Sequence, residues 1–301
     1  MSEVKKIATR VSYGDALKEI AAENPDIVVL DADLAAATKT GTFKKAYPDR
    51  FFDCGIAECN MAGIAAGLAA SGKIPFMSSF AMFAAGRAYE QVRNSIGYPH
   101  LNVKIGATHQ CLEDLALMRV IPGMVVMNPS DDIEAKAAVR AAVEHDGPVY
   151  IRFGRLAVPV INDRPDYKFE IGKGVILKDG RDLTIVVSGL PVAAALEAAD
   201  MLAADGIDAR VINIHTIKPL DTELLAKAAA ETGKIFTVEE HNVIGGLGSA
   251  VAEAVAETVP VPVHRIGIYD QFGESGPAVE LLEKYGLDGK GIYSQIKDGL
   301  R

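Results

Sequence analysis

The sequence predicts two doubly wound α/β domains in tandem, each built on a mainly parallel sheet. Three observations carry that prediction. Short continuous apolar runs recur, among them DIVVL (26–30) and MVVM (124–127), and such runs mark strands buried on both faces. Longer segments with apolar residues at helical spacing lie between them, so strand and helix alternate as a parallel sheet requires. The alternation breaks once, in the polar, Pro-marked stretch 157–169, and then begins again.

Bulk properties agree. The 301 residues are 49% hydrophobic but only 6% aromatic, with no Trp. At roughly 100–200 residues per domain, such a chain accommodates two. The division expected is 1–160, a linker over 161–170, and 171–301. The net charge of −9 argues against nucleic acid or an anionic membrane as the main partner. It leaves room for a local cluster of Arg. No apolar run reaches the length of a membrane span, and MSEVKKIATR lacks the apolar core of a signal peptide. Cys54, Cys59 and Cys111 are odd in number and show no zinc-ligand spacing. They read as small buried hydrophobes in a reducing compartment. The six His include no pair at metal-ligand spacing, so no metal is expected on this chain. A cytoplasmic location is expected.

In chain order, residues 13–23 form a first helix, with Ser12 as its cap and Leu17, Ile20 and Ala21 on one face. Strand 26–30 empties into Asp31 and Asp33, and 39–47 is a short helix before Pro48. An apolar run then ends at Cys54 and Gly55, and a helix begins at Glu58. Its apolar stripe is Met61, Ile64, Ala65 and Leu68, and Gly63 and Gly67 leave it little bulk. Residues 74–77 form a strand, and Ser78 and Ser79 open a helix closing near Gly97. Strand 103–107, helix 112–119 and strand 124–127 follow. Asn128-Pro129-Ser130 caps helix 131–145, and strand 148–153 closes the first half. The second half predicts strands 182–188, 209–214, 234–239 and 261–268. Its helices are 192–204, 221–231, 249–259 and a last one, 277–285.

Ligands of open α/β sheets bind outside the carboxyl ends of the strands, so residues there are the candidates for chemistry. Glu58, at a strand-to-helix junction, is either a functional carboxylate or an acid favoured by the helix dipole. Arg155 follows strand 148–153 and Arg10 precedes the first helix; each suits an anion, and each suits the surface. Phe80 and Phe83 are core residues by default, or a flat wall for a heteroaromatic ring. His109, in GATHQ, divides evenly between site and structure. The run Gly245-Gly246-Leu247-Gly248-Ser249 fails the dinucleotide pattern G-x-G-x-x-G and reads as a tight turn.

Four segments together resemble transketolase: GIAECNMAGIAAGLA, SFAMFAAG, ATHQCLEDLALMRVIPGMVVMNPSD and VEEHNVIGGLGSAVAE. The likeness spans the whole chain but only the later half of that enzyme, its pyrimidine-binding and C-terminal domains. It implies thiamine diphosphate. Glu58 matches the glutamate that shares a proton with N1′ of the aminopyrimidine, which activates the cofactor for losing its C2 proton. Phe80 matches the residue stacked on the pyrimidine, and Phe83 an aromatic lining the same pocket. Arg10 and Arg155 match the pair that holds a sugar phosphate. His109 matches a histidine touching substrate oxygens near the reacting carbon.

The Gly-Asp-Gly diphosphate motif, with its Mg2+ or Ca2+, is expected on an N-terminal partner subunit, giving a heterotetramer. The implied activity is transfer of a two-carbon ketol unit between ketose and aldose phosphates, as in the pentose phosphate pathway. There are two departures from the family. A single GATH stands where it has a longer loop with a further histidine and an aspartate. Ala35-Ala36-Ala37 replaces a polar stretch often holding a phosphate-binding serine. Other thiamine-dependent halves remain as alternatives, namely a 2-oxo acid dehydrogenase β chain or a deoxyxylulose phosphate synthase. So does a non-catalytic assembly subunit.

Overall fold

Strands that are apolar on both faces need cover on both, and the helices of each crossover supply it. The computed structural model describes residues 5–109 and 111–301. Gln110 of the GATHQ motif, and residues 1–4 of the segment read for a leader, lie outside them. By contacts the chain divides into two units, Met1–Ile171 and Gly172–Arg301. Among the described residues, no helix is long and apolar enough to cross a membrane.

The first unit begins β1 (Lys6–Ala8), α1 (Thr9–Glu23), β2 (Ile27–Asp31), α2 (Ala35–Thr38), α3 (Gly41–Ala46), β3 (Phe51–Asp53) and α4 (Glu58–Ala70). After β4 (Ile74–Phe80) come two wide π-type turns, Met82–Arg87 and Val92–Gly97, with α5 (Tyr89–Gln91) between them. It ends with β5 (Lys104–Thr108), α6 (Asp114–Arg119), β6 (Val125–Met127), α7 (Asp132–Glu144), β7 (Val149–Phe153) and β8 (Ala157–Pro159).

Within this unit, strands pair in parallel in the order β6-β7-β5-β4-β2-β3, and β1 pairs antiparallel with β8. Parallel strands put all their last residues on one edge, so Asp31, Phe80, Thr108 and Phe153 share it. The order reverses between β2 and β4, which is the switch position where α/β sheets open a crevice. Beneath lies a core that includes Tyr13, Leu17, Phe43, Phe76 and Phe153. The Tyr13 ring stacks on Phe153 at 4.5 Å, and its hydroxyl shares a 2.7 Å hydrogen bond with Ser78 Oγ. A Cβ on Gly106 would lie 2.3 Å from that hydroxyl, so only glycine leaves it room.

The second unit repeats the scheme with β9 (Val175–Lys178), β10 (Leu183–Val187), α8 (Val192–Ala204), β11 (Ala209–Asn213), β12 (Thr216–Lys218) and α9 (Thr222–Thr232). It continues with β13 (Ile235–Asn242), α10 (Leu247–Glu257), β14 (Val263–Ile268), α11 (Ala278–Lys284) and α12 (Gly289–Gly299). Its sheet order is β14-β13-β10-β11-β9, with β9 alone antiparallel among these. The expected class, two α/β units with mainly parallel sheets, is the one observed.

Several local expectations are corrected. The first helix begins at Thr9, not 13, so Arg10 sits in its first turn and Ser12 lies inside it. Ser78 and Ser79 do not open a helix; both are buried in β4, which runs on through Phe80. The cap of α7 is Asp131, whose side chain accepts from the Glu134 amide, rather than Asn128-Pro129-Ser130. On α4 the buried stripe is Met61, Ala62, Ala65 and Ala66, so Ile64 turns outward at 39% exposure. Small Ala side chains let the helix lie closer to the sheet than Ile would. Helix α12, strand β9 and the β1–β8 pair were not anticipated.

Candidate functional site

Register builds the site. Phe80, Thr108 and Phe153 pair in one row across β4, β5 and β7. One residue later, the His109 amide donates to Phe153 O at 3.0 Å, and its carbonyl accepts from the Ala81 amide at 3.2 Å. His109 is thereby clamped between two strand ends. It holds φ +23°, a left-handed backbone that L side chains rarely adopt. Its ring meets the Phe80 ring edge-on at 4.8 Å, and Phe80 lies 5.8 Å from Phe83.

The start of α1 approaches the same strand end from another side. The Arg10 amide donates to Gly154 O at 3.3 Å, and the Gly154 amide donates to Thr9 Oγ1 at 2.7 Å. This places Arg10 beside Arg155. Arg10 Nη1 donates to Ala37 O at 2.9 Å, while its buried Nε has no hydrogen-bond partner among the described residues. Arg155 is exposed. Helix α2, which receives Arg10, is fixed at its end, because buried Asp31 Oδ2 accepts from Thr38 Oγ1 at 2.7 Å and Thr40 Oγ1 at 2.8 Å.

Crowding of like charge governs the electrostatics. The Arg10 pKa is lowered by burial and by Arg155. The His109 pKa falls to about 4, through burial first and then the charges of Arg10, Arg155 and Arg152. Its imidazole is therefore neutral near pH 7, and its Nδ1 is buried without a hydrogen-bond partner among the described residues. Burial raises the Asp31 pKa, against the hydrogen bonds from Thr38, Thr40 and the Leu34 amide.

Glu58 is the first residue of α4 and is 2% exposed. Its Oε2 has no hydrogen-bond partner among the described residues, and Arg87 Nε stands 3.8 Å away. Leaving a buried carboxylate oxygen unbonded costs more than an ordinary lost hydrogen bond. That oxygen suits a donor supplied by something else. Arg87 ends the turn Met82–Arg87 that carries Phe83, and Cys59 Sγ donates to its carbonyl at 3.4 Å.

The structure thus brings Arg10, Arg155, His109, Phe80 and Phe83 into one chain of contacts and charges. The ion pair with Arg87 ties Glu58 to the turn that carries Phe83. No hydrogen bond, ion pair or ring contact among the described residues links Glu58 directly to Phe80 or His109. Arg87 and Arg152 were missed from sequence. Arg87 is placed by π-type spacing that helical periodicity does not follow, and Arg152 reads as one charge inside an apolar strand. Among the described residues no group of three or more His, Cys, Asp or Glu could hold a metal ion. The cysteines are free, and burial pushes the Cys111 thiol up to about 12.

The turn Gly245-Gly246-Leu247-Gly248 is filled from inside. Glu239 accepts from the Leu247 amide at 2.7 Å and the Gly248 amide at 2.8 Å. Its carboxylate stands where a phosphate would.

Comparison with known proteins gives the family. Residues 5–160 match the transketolase pyrimidine-binding domain, and residues 172–292 match the transketolase C-terminal domain. A Methanocaldococcus jannaschii protein named as a transketolase C-terminal section is 47% identical, covering 97% of this chain and 96% of its own. A 6-deoxy-6-sulfo-D-fructose transketolase subunit of Clostridium sp. is 46% identical over 94% of this chain and 91% of its own. A solved split gene transketolase, an inactive β4 tetramer, is 56% identical with a TM-score of 0.92, covering 97% of this chain and 98% of that one. This chain belongs to the transketolase family, in its pyrimidine-binding and C-terminal domains.

Proposed function

We propose that this chain is the C-terminal subunit of a split transketolase that moves a two-carbon ketol unit between sugar phosphates. The observation that carries the proposal is Glu58, buried at a helix start with an oxygen that has no hydrogen-bond partner among the described residues. That donor set fits thiamine diphosphate: an acceptor for N1′, and the half-exposed rings of Phe80 and Phe83 for the pyrimidine face. Thiamine diphosphate, when bound, supplies the electron sink that lets a carbon–carbon bond beside a carbonyl break.

The rest of the work falls to the chain's own side chains. Glu58 would hold a proton at the pyrimidine nitrogen and orient the ring. Phe80 and Phe83 would keep water from one face of it. Arg10 and Arg155 would grip the substrate's distal phosphate, as paired guanidinium groups do. His109, kept neutral, would hydrogen-bond substrate oxygens nearer the reacting carbon. The diphosphate and its Mg2+ or Ca2+ would belong to an N-terminal partner chain, in a cytoplasmic heterotetramer. A β4 tetramer in a relative 56% identical supports self-association here. So does the outward face of α4, where a Cβ at Gly63 or Gly67 would meet nothing within 4 Å.

Co-expression with an N-terminal transketolase chain tests the proposal. The pair should bind thiamine diphosphate and transfer ketol units from a ketose phosphate, while this chain alone should be inactive. Transfer by the chain alone would remove the need for a partner. Pyruvate decarboxylation by the pair, without ketol transfer, would move it to another thiamine-dependent class.

A further inference from the structure

Resting on the proposed contact between His109 and substrate, we infer that Arg152 is the positioning residue of the segment 109–114. Its guanidinium, aimed by Asp114, pins the chain just beyond His109 and so fixes the imidazole where a substrate would meet it.

The argument begins with strain. His109 holds φ +23°, a backbone that persists only where its surroundings over-determine it. Main-chain bonds hold the residue itself, from its amide to Phe153 O at 3.0 Å and from the Ala81 amide to its carbonyl at 3.2 Å. Relaxing to negative φ would swing the chain that follows. That chain is caught at Cys111, whose carbonyl accepts from Arg152 Nη2 at 2.7 Å.

Arg152 is itself held. It lies in β7, level with Ala107 of β5, and its side chain is 5% exposed. Its Nε stands 3.5 Å from Oδ2 of Asp114, the buried first residue of α6. Tyr150 lies two residues back on β7, on the same face of the strand, and its hydroxyl donates to that same oxygen at 2.6 Å. Burial, and then the charge of Asp114, raises the Tyr150 pKa well above its ordinary value, so the phenol keeps its proton and donates it. A buried ion pair returns little net stability against its desolvation. What this one gains is a guanidinium of set direction, with Nε toward α6 and Nη2 on Cys111 O. The planar fork lets one side chain serve both. Segment 109–114 is thus tied to β7 at His109, at Cys111 and at Asp114.

Hydrogen exchange on the full chain alone tests the positioning, and turnover of the reconstituted pair tests its use. In Arg152→Met, amides over 108–113 should exchange roughly tenfold faster or more, while those of β10 and β13 exchange as before. The same change should lower kcat by about 10²-fold, the cost of a displacement of about 1 Å, with KM for the sugar phosphate moving only a few fold. Arg152→Lys keeps a charge opposite Asp114 but cannot reach Cys111 as well. It should fold, exchange faster over 108–113 and lose kcat in the same way. It decides the question if Arg152→Met, which leaves the Asp114 charge buried without its cation, does not fold. In a His109→Ala background either change should cost little more kcat, because a residue that acts through His109 then has nothing left to position.

Unchanged exchange over 108–113 in Arg152→Lys overturns the inference. So do kcat losses from the Arg152 and His109 changes that multiply in the double variant, since Arg152 would then act by another route. If the unsubstituted pair transfers no ketol units, the proposed function falls, and the exchange result still decides whether Arg152 holds the segment.

Discussion

Glu58 and Glu239 are nearly matched in setting and opposite in circumstance. Both lie at carboxyl edges of parallel sheets, and both are buried, at 2% and 1% exposure. Glu239 accepts from two amides at the start of α10, and His241 Nδ1 stands 3.7 Å from it. Glu58 opens α4 with an oxygen that has no hydrogen bond among the described residues and a cation 3.8 Å away. A carboxylate whose lone pairs are filled by its own chain stabilises a fold. One left open inside a protein carries a desolvation penalty, which the proposed cofactor contact would relieve. Burial does not separate these residues; the count of donors does.

The strongest way to break this comparison is to remove each carboxylate in turn. In the reconstituted complex, Glu58→Gln should lower kcat toward the upper end of the roughly 10²–10⁴-fold range of acid–base catalysis. Its melting temperature should hardly move. Near-normal turnover would return Glu58 to the role of a helix-dipole acid. Glu239→Ala should do the reverse, costing about 2–3 kcal/mol of stability through two unmet buried amides. Denaturant unfolding measures it, and an unchanged midpoint would refute the assignment.

Smaller effects sharpen the contrast at the anion end. Arg155→Gln should raise KM for a sugar phosphate about tenfold and leave kcat nearly unchanged, since the residue is exposed and is proposed to hold only the distal phosphate. Equal losses in kcat and KM would place it in the reacting geometry instead. At the small end, Gly67→Ala should raise the stability of α4 by about 0.5–1 kcal/mol, because the added methyl meets nothing within 4 Å. Sedimentation of the variant tells whether that face carries an assembly contact: weaker association means it does.

The pH dependence of stability has a definite sign. Lys104 is buried at the start of β5, and burial lowers its pKa to about 7 from 10.5. The unfolded chain binds that proton between about pH 7 and 10 and the folded chain does not, so stability should rise with pH across this window. Lys104→Met should flatten the rise, measured as unfolding midpoint against pH.

The strand–helix alternation was legible because parallel strands carry their burial in plain apolar runs. The edge that holds the site was less so. Ser78 and Ser79 look like a cap, yet Ser78 is buried because Tyr13, 65 positions away, bonds its hydroxyl. No local pattern reports such a partner. Helix α12 was hidden by Gly289, Gly291 and Gly299, residues of low helix propensity, although Asp288 caps it. The role of Glu239 is not legible in the glycine run itself, because the group that fills the Leu247 and Gly248 amides stands eight and nine residues upstream of them. Glu58, Phe80, His109, Arg10 and Arg155 were picked out through family likeness more than spacing. The structure adds their contacts, and their roles await the experiments above.

The knot of Asp31 with Thr38 and Thr40 has an evolutionary consequence. With the Leu34 amide, which donates to Asp31 Oδ1 at 2.6 Å, it anchors α2 by both ends, and the grip of α2 on Arg10 uses the Ala37 carbonyl rather than any side chain. Ala35 packs against the core, but exposed Ala36 is free to mutate without loosening the frame that presents Arg10. Such a turn is an adaptable collar: new side chains at exposed Ala36 change the surface beside Arg10 without touching its anchor. Selection and laboratory diversification alike would find their shortest path to new specificity there.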